Sequence, residues 1–117
     1  MDTYERAQQF WSVLALAARE QKVLSYEMLG QLTGMAQEAG RELGHIYYYC
    51  EKHKLPLLNL LAISKATGKP GDGCPADLAE LPAQQARVFV YDWLEHGAPR
   101  AEDFKNAKDR ADKKRSG

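Results

Sequence analysis

Gln37, Arg41, His45, Tyr48 and Lys52 recur at intervals of three or four residues, so on a helix their side chains stack along one edge. Those residue types suit contact with a polyanion. Gln and Arg hydrogen-bond base edges or phosphates, His and Tyr reach phosphate or sugar, and Lys adds a point charge. Gly40 and Gly44 run beside this row, where a missing side chain lets another backbone come close. The cost is about 1 kcal/mol of helix stability per glycine relative to alanine, so a compensating contact is expected. Two such contacts stay open: nucleic acid, or another helix packing on the smooth strip that the glycines form with Ala36. Glu38, Glu42 and Glu51 on the same helix would repel nearby phosphates.

Other chemistries fit less well. The turn "TGKPGDG", with Lys65 just before it and Lys69 within, can offer lysines and free backbone N–H groups to phosphates, or can simply be a solvated turn. It is not a P-loop, because no Gly-Lys-Ser/Thr opens a helix there. Cys50 and His53, with Cys74 and His96, match no common zinc spacing, and thiols beside apolar stretches are ordinary core residues, so no metal or cofactor is expected. No Ser-His-acid or Cys-His pattern appears and the carboxylates are scattered. Catalysis is not expected.

The 117 residues, 44% hydrophobic and 27% charged, are the length and composition of one globular domain. No apolar run is long enough for a membrane span, Met1 to Arg6 does not read as a signal sequence, and two cysteines do not make a disulfide framework; a cytoplasmic protein is expected. The formal net charge is zero, but from Lys105 to Gly117 six basic residues face two acidic ones, giving +4 there and −4 elsewhere. Lys113, Lys114 and Arg115 cluster in this segment, read as a flexible tail able to add phosphate contacts.

The elements that must position these groups follow from periodicity. Asp2, three residues before Glu5, forms a capping box for a helix to about Gln21 that buries Ala7, Phe10, Trp11, Leu14 and Ala18. After an extended piece at Lys22 to Leu24, Ser25 caps a short helix burying Met28, Leu29 and Leu32, and Gly34 stops it. A longer helix follows, burying Ala36, Ala39, Leu43, Ile46, Tyr47 and Cys50, until Leu55-Pro56 ends it. "LLNLLAIS" reads as a strand leading into the glycine-rich turn, with a short return making a hairpin. Residues 74 to 82 read as a connector with a helical turn. Pro82 opens a helix to about His96 that buries Ala86, Phe89, Val90, Trp93 and Leu94, and Phe104 packs a last short helix from Glu102 to Ala107. The expected fold is mainly α with a small β-hairpin, a winged helix-turn-helix-like single domain over 1–104 with flanking helices, followed by the basic tail at 105–117.

"QKVLSYEMLGQLTGMAQEAGRELG" and "LPLLNLLAISKATG" resemble the C-terminal DNA-binding domain of the O6-alkylguanine DNA alkyltransferases and alkyltransferase-like proteins, over roughly residues 21 to 73. Val23, Tyr26, Gly34, Ala36, Ala39 and Gly40 stand where that family has its valine, tyrosine, glycine and alanine-rich second helix. The resemblance implies a winged helix that binds DNA, with Tyr26 among the contacting residues. The family's nucleophile sits in a Pro-Cys-His-Arg motif, whereas "LPLLNLLAISK" has no cysteine, histidine or arginine, so alkyl transfer is not implied. The arginine that the family inserts into the base stack aligns with Gln37; Arg41 lies one turn on.

The expected function is non-catalytic nucleic-acid binding, with DNA the favoured partner and the protein a monomer or homodimer. The alternative is a protein-interaction module, such as a phage- or plasmid-type inhibitor or an accessory subunit, that presents Tyr48 and Tyr49 on the same frame.

Overall fold

The computed structural model describes residues 2–34, 40–71 and 78–116, with 115 and 116 described by backbone alone. Ala36, Gln37, Glu38, Ala39, most of the connector including Cys74, and the Arg115 side chain therefore lie outside the described residues. The fold is mainly helical with one small sheet. In chain order come α1 (Thr3–Arg19), β1 (Leu24–Ser25), α2 (Tyr26–Thr33), α3 (Gly40–Lys52), a 3-10 turn (Leu58–Leu61), β2 (Ala62–Ile63), α4 (Leu81–Val90), α5 (Trp93–His96) and α6 (Ala101–Ser116). No helix among the described residues is long and apolar enough to cross a membrane.

Local chemistry sets the first boundaries. The Asp2 carboxylate accepts the Glu5 N–H at 2.8 Å and Glu5 returns the bond to the Asp2 N–H at 3.1 Å, so the capping box starts α1 as expected. Ser25 accepts the Met28 N–H at 3.1 Å to start α2, and Gly34 ends it at φ 74°, a left-handed conformation that favours glycine. Leu29 alone is fully covered on α2. Met28 and Leu32, expected inside, are 44% and 58% exposed, because an eight-residue helix resting on α1 and the small sheet has only a narrow contact face.

The core gathers on Trp11, whose ring meets Tyr49 and Trp93 edge-on at 5.3 and 5.4 Å and has Phe104 at 6.0 Å. Ala7, Phe10, Leu14, Ala17 and Ala18 complete the buried side of α1, and such interlocked aromatics supply large apolar burial with fixed geometry. α3 packs against both α1 and α6, which decides how much of its surface is left.

The sheet differs from a hairpin. Leu24 pairs with Ala62 and Ser25 with Ile63, in parallel, so β2 joins the strand before α2 rather than a return strand of its own. The apolar run before it coils into the 3-10 turn with Leu58, Leu60 and Leu61 fully buried, since a run buried on all sides has no periodicity to mark it as strand. The segment after Pro82 also divides. α4 stops at Val90, Asp92 caps α5 by accepting the Glu95 N–H, and Trp93 donates its indole N–H to the Val88 carbonyl at 2.9 Å. That break turns Val90 and Leu94 outward, 81% and 67% exposed, leaves Ala86 exposed as well, and makes Leu81, Val88 and Trp93 the buried set. Finally, α6 runs unbroken to Ser116, so residues 105–116 are helix rather than a loose tail.

Candidate nucleic-acid interface

α3 was expected to turn one polar edge outward, and the structure narrows that edge. Arg41 is exposed. His45 is not: it is 5% exposed, its Nε2 lies 3.0 Å from Thr3 Oγ1, and its ring stacks on Tyr4 at 4.4 Å. One turn earlier Glu42, 2% exposed, accepts a bond from Arg6 Nε at 3.2 Å. The first two turns of α1 thus cover this side of α3. Burial holds the His45 imidazole below its ordinary value, an effect that Glu42 partly opposes. His45 Nδ1 and Glu42 Oε2 are buried without a hydrogen-bond partner.

Tyr48 is half-buried, with the Lys108 ammonium 5.5 Å from its ring centre, and Lys52 is also half-buried. Tyr49, read as an interaction residue in the alternative function, is a core residue. Its hydroxyl lies 2.8 Å from His96 Nε2, the His53 ring sits 4.3 Å away, and burial pushes its phenol up to about 12. Tyr47, expected in the core, is half-buried and donates to Glu51. Cys50 is fully buried and burial raises its thiol to about 12, which keeps it protonated and inert.

The glycines decide what the remaining edge can do. Among the described residues nothing comes within 4 Å of a Cβ built on Gly40 or Gly44. Among the described residues, then, no side chain or backbone atom fills the space beside these two glycines. The strip is an open ribbon of backbone with Arg41 beside it. Glu42, counted as a charge that would repel phosphates, is turned inward and paired, which leaves Glu51 as the exposed acid among the described residues of this helix, Glu38 lying outside them.

The turn after β2 sits where Tyr26 holds it. The Tyr26 hydroxyl accepts the Gly71 N–H, and a Cβ at position 71 would lie 3.1 Å from that oxygen, a tight contact that would make the Tyr26 ring shift by a few tenths of an ångström. Tyr26 is half-buried in this role. Lys65 and Lys69 are exposed, and Lys65 makes a loose pair with Glu27 at 3.5 Å. The backbone N–H groups expected to reach phosphates are partly taken: Ala66 donates to Ser64 Oγ, Gly68 to the Ser64 carbonyl and Lys69 to Thr67 Oγ1. Lys65 and Lys69 are the exposed cations of this turn.

Comparison with protein-family models, with curated proteins and with solved structures finds no match. The chain's own geometry therefore carries the functional reading. Lys113 and Lys114 are exposed on α6, beside Asn106, Asp109 and Arg110 along a shallow open groove. The sequence reading counted Lys105 and Arg110 only as part of a basic tail and ended the helix at Ala107, although no glycine or proline interrupts residues 101–116. It also missed Thr3, Tyr4 and Arg6, whose partners on α3 lie far along the chain and leave no local signal.

Proposed function

We propose that the protein is a non-catalytic nucleic-acid-binding domain of the winged helix-turn-helix kind, similar to alkyltransferase-like proteins, with DNA the favoured ligand. The observation that carries the reading is the bare strip at Gly40 and Gly44. A helix that only had to be soluble would carry alanine, lysine or glutamate there and be more stable by about 0.5–1 kcal/mol per site. Neither glycine has a positive φ, and no described atom lies within 4 Å of a Cβ built on either, which leaves room for a surface from outside the described residues to approach the backbone. Arg41 would take phosphate or base edges from that surface, with Lys65 and Lys69 on the turn and Lys52 at the helix end as further phosphate contacts. The segment that resembles the alkyltransferase active site packs Leu58, Leu60 and Leu61 into the core and has no cysteine, which argues against alkyl transfer there.

A protein partner is the second reading, and the exposure of Met28 and Leu32 on α2 favours it. A mobility-shift assay at low salt with duplex, single-stranded and modified-base DNA separates the two. The double variant Gly40→Ala, Gly44→Ala is expected to melt higher than wild type and to bind about tenfold or more weakly, equivalent to about 1.4 kcal/mol. Undiminished binding by that variant, or no binding by the wild type even at low salt, overturns the nucleic-acid reading.

A further inference from the structure

We propose that the outward face of α6 is a second phosphate-binding track, which takes the backbone of the same nucleic acid that α3 contacts; the inference extends the reading above and rests on it. The inner side of α6 is occupied by Phe104 and Ala107, both buried in the core. Much of the helix's acidity is neutralised locally. Asp112 is held by Lys108 at 2.6 Å, Glu102 faces Arg100 at 3.5 Å, and Asp103 caps the helix by accepting the Arg100 N–H at 2.8 Å. What remains outward is Lys105, Arg110 and Lys114 against Asp109, all exposed. Lys105, Arg110 and Lys114 make no ion pair among the described residues.

Spacing and composition match this face to a phosphodiester chain. At about 100° and 1.5 Å per residue, Arg110, Lys113 and Lys114 lie within about 100° of one another around the helix and within about 6 Å along it, while Lys105, about 180° from Lys114, flanks the opposite border of the exposed face. Asn106 lies in the same groove as Arg110, Lys113 and Lys114 and adds an uncharged hydrogen-bonding group. A lipid surface is a poorer fit. A helix lying on a membrane buries an apolar face, and the apolar face of α6 is already spent on the core. In a chain of zero formal charge, these cations also make one end attractive to a polyanion while the rest repels it, which orients the encounter.

The test is fluorescence anisotropy of the full chain with a short labelled duplex and the matching single strand, titrated with KCl. In the variant Lys105→Gln, Arg110→Gln, Lys114→Gln the slope of log K against log[KCl] on duplex is expected to become shallower by about 2 to 3, near 0.9 for each phosphate that is no longer neutralised. Asp109→Asn should tighten binding several-fold, and a melt of each variant should match wild type because every changed group is exposed. An unchanged slope in the triple variant overturns the track, as does retention on anionic phospholipid vesicles with no binding to either nucleic acid. Arg41→Ala and the glycine variant keep the two readings apart: if they bind like wild type while the triple variant loses its slope, the α3 reading fails and α6 alone carries the binding.

Discussion

The two long edges of α3 differ sharply in what covers them. One edge carries Leu43, Ile46, Tyr49 and Cys50 together with Glu42 and His45, and each is covered by α1, α5 or α6 or by the 3-10 turn. The other carries Gly40, Arg41, Gly44 and Glu51, with open space where two side chains would be. A helix clamped from two sides keeps only a narrow free surface. Side chains on the clamped edge contribute to stability, whereas the free edge carries two glycines that lower helix stability relative to alanine.

Mutations should separate the edges. The largest effect is expected from Trp11→Ala, which removes the ring that Tyr49, Trp93 and Phe104 pack on and should cost about 3–5 kcal/mol of stability, read by denaturant unfolding, while the folded fraction still binds nucleic acid. Arg41→Ala should do the reverse, weakening binding by about 1–3 kcal/mol with a change in stability below about 0.5 kcal/mol. Equal losses of stability and binding in either variant would dissolve the distinction between the edges.

His45 sharpens the comparison through pH. Because burial holds its folded-state value below the ordinary 6.5, the unfolded chain takes up the proton first, and stability, level above about pH 7, falls as pH drops below about 6.5. His53 acts in the same direction for the same reason, with Lys52 adding to it. His45→Gln should therefore flatten, without abolishing, the fall of the melting temperature between neutral and mildly acid pH; an unchanged profile would mean that position 45 is open to water. The smallest expected effect is Lys65→Gln, which breaks only a loose exposed pair. It should leave stability within about 0.5 kcal/mol and reduce the salt slope of duplex binding by about 0.9.

What could be read from the residues was what depends on near neighbours. The capping box at Asp2, the Ser25 cap and the Gly34 stop are interactions across three to five residues, and α1 packs on a single broad face, so its apolar stripe reports burial directly. The outward row of α3 was half right for the opposite reason. His45 is buried by partners from α1 that no spacing within the helix reveals, and Tyr49 rather than Tyr47 faces the core because α6 and α5 pack on that side. The break at Asp92 was missed because "VFVYDWLEH" keeps helical spacing across a residue that acts as a second cap. At the candidate interface, the glycines could be flagged as a cost, but the open space beside them among the described residues was not legible from spacing.

The short parallel pairing of β1 with β2 also bears on how the chain acquires its shape. Strands lying side by side in the same direction cannot be closed by a local turn, so this junction waits until everything from α2 through the 3-10 turn has come back on itself. Its amide protons should be among the late ones to gain protection during refolding, and the glycine-rich turn that Tyr26 holds should become ordered with them rather than with α1.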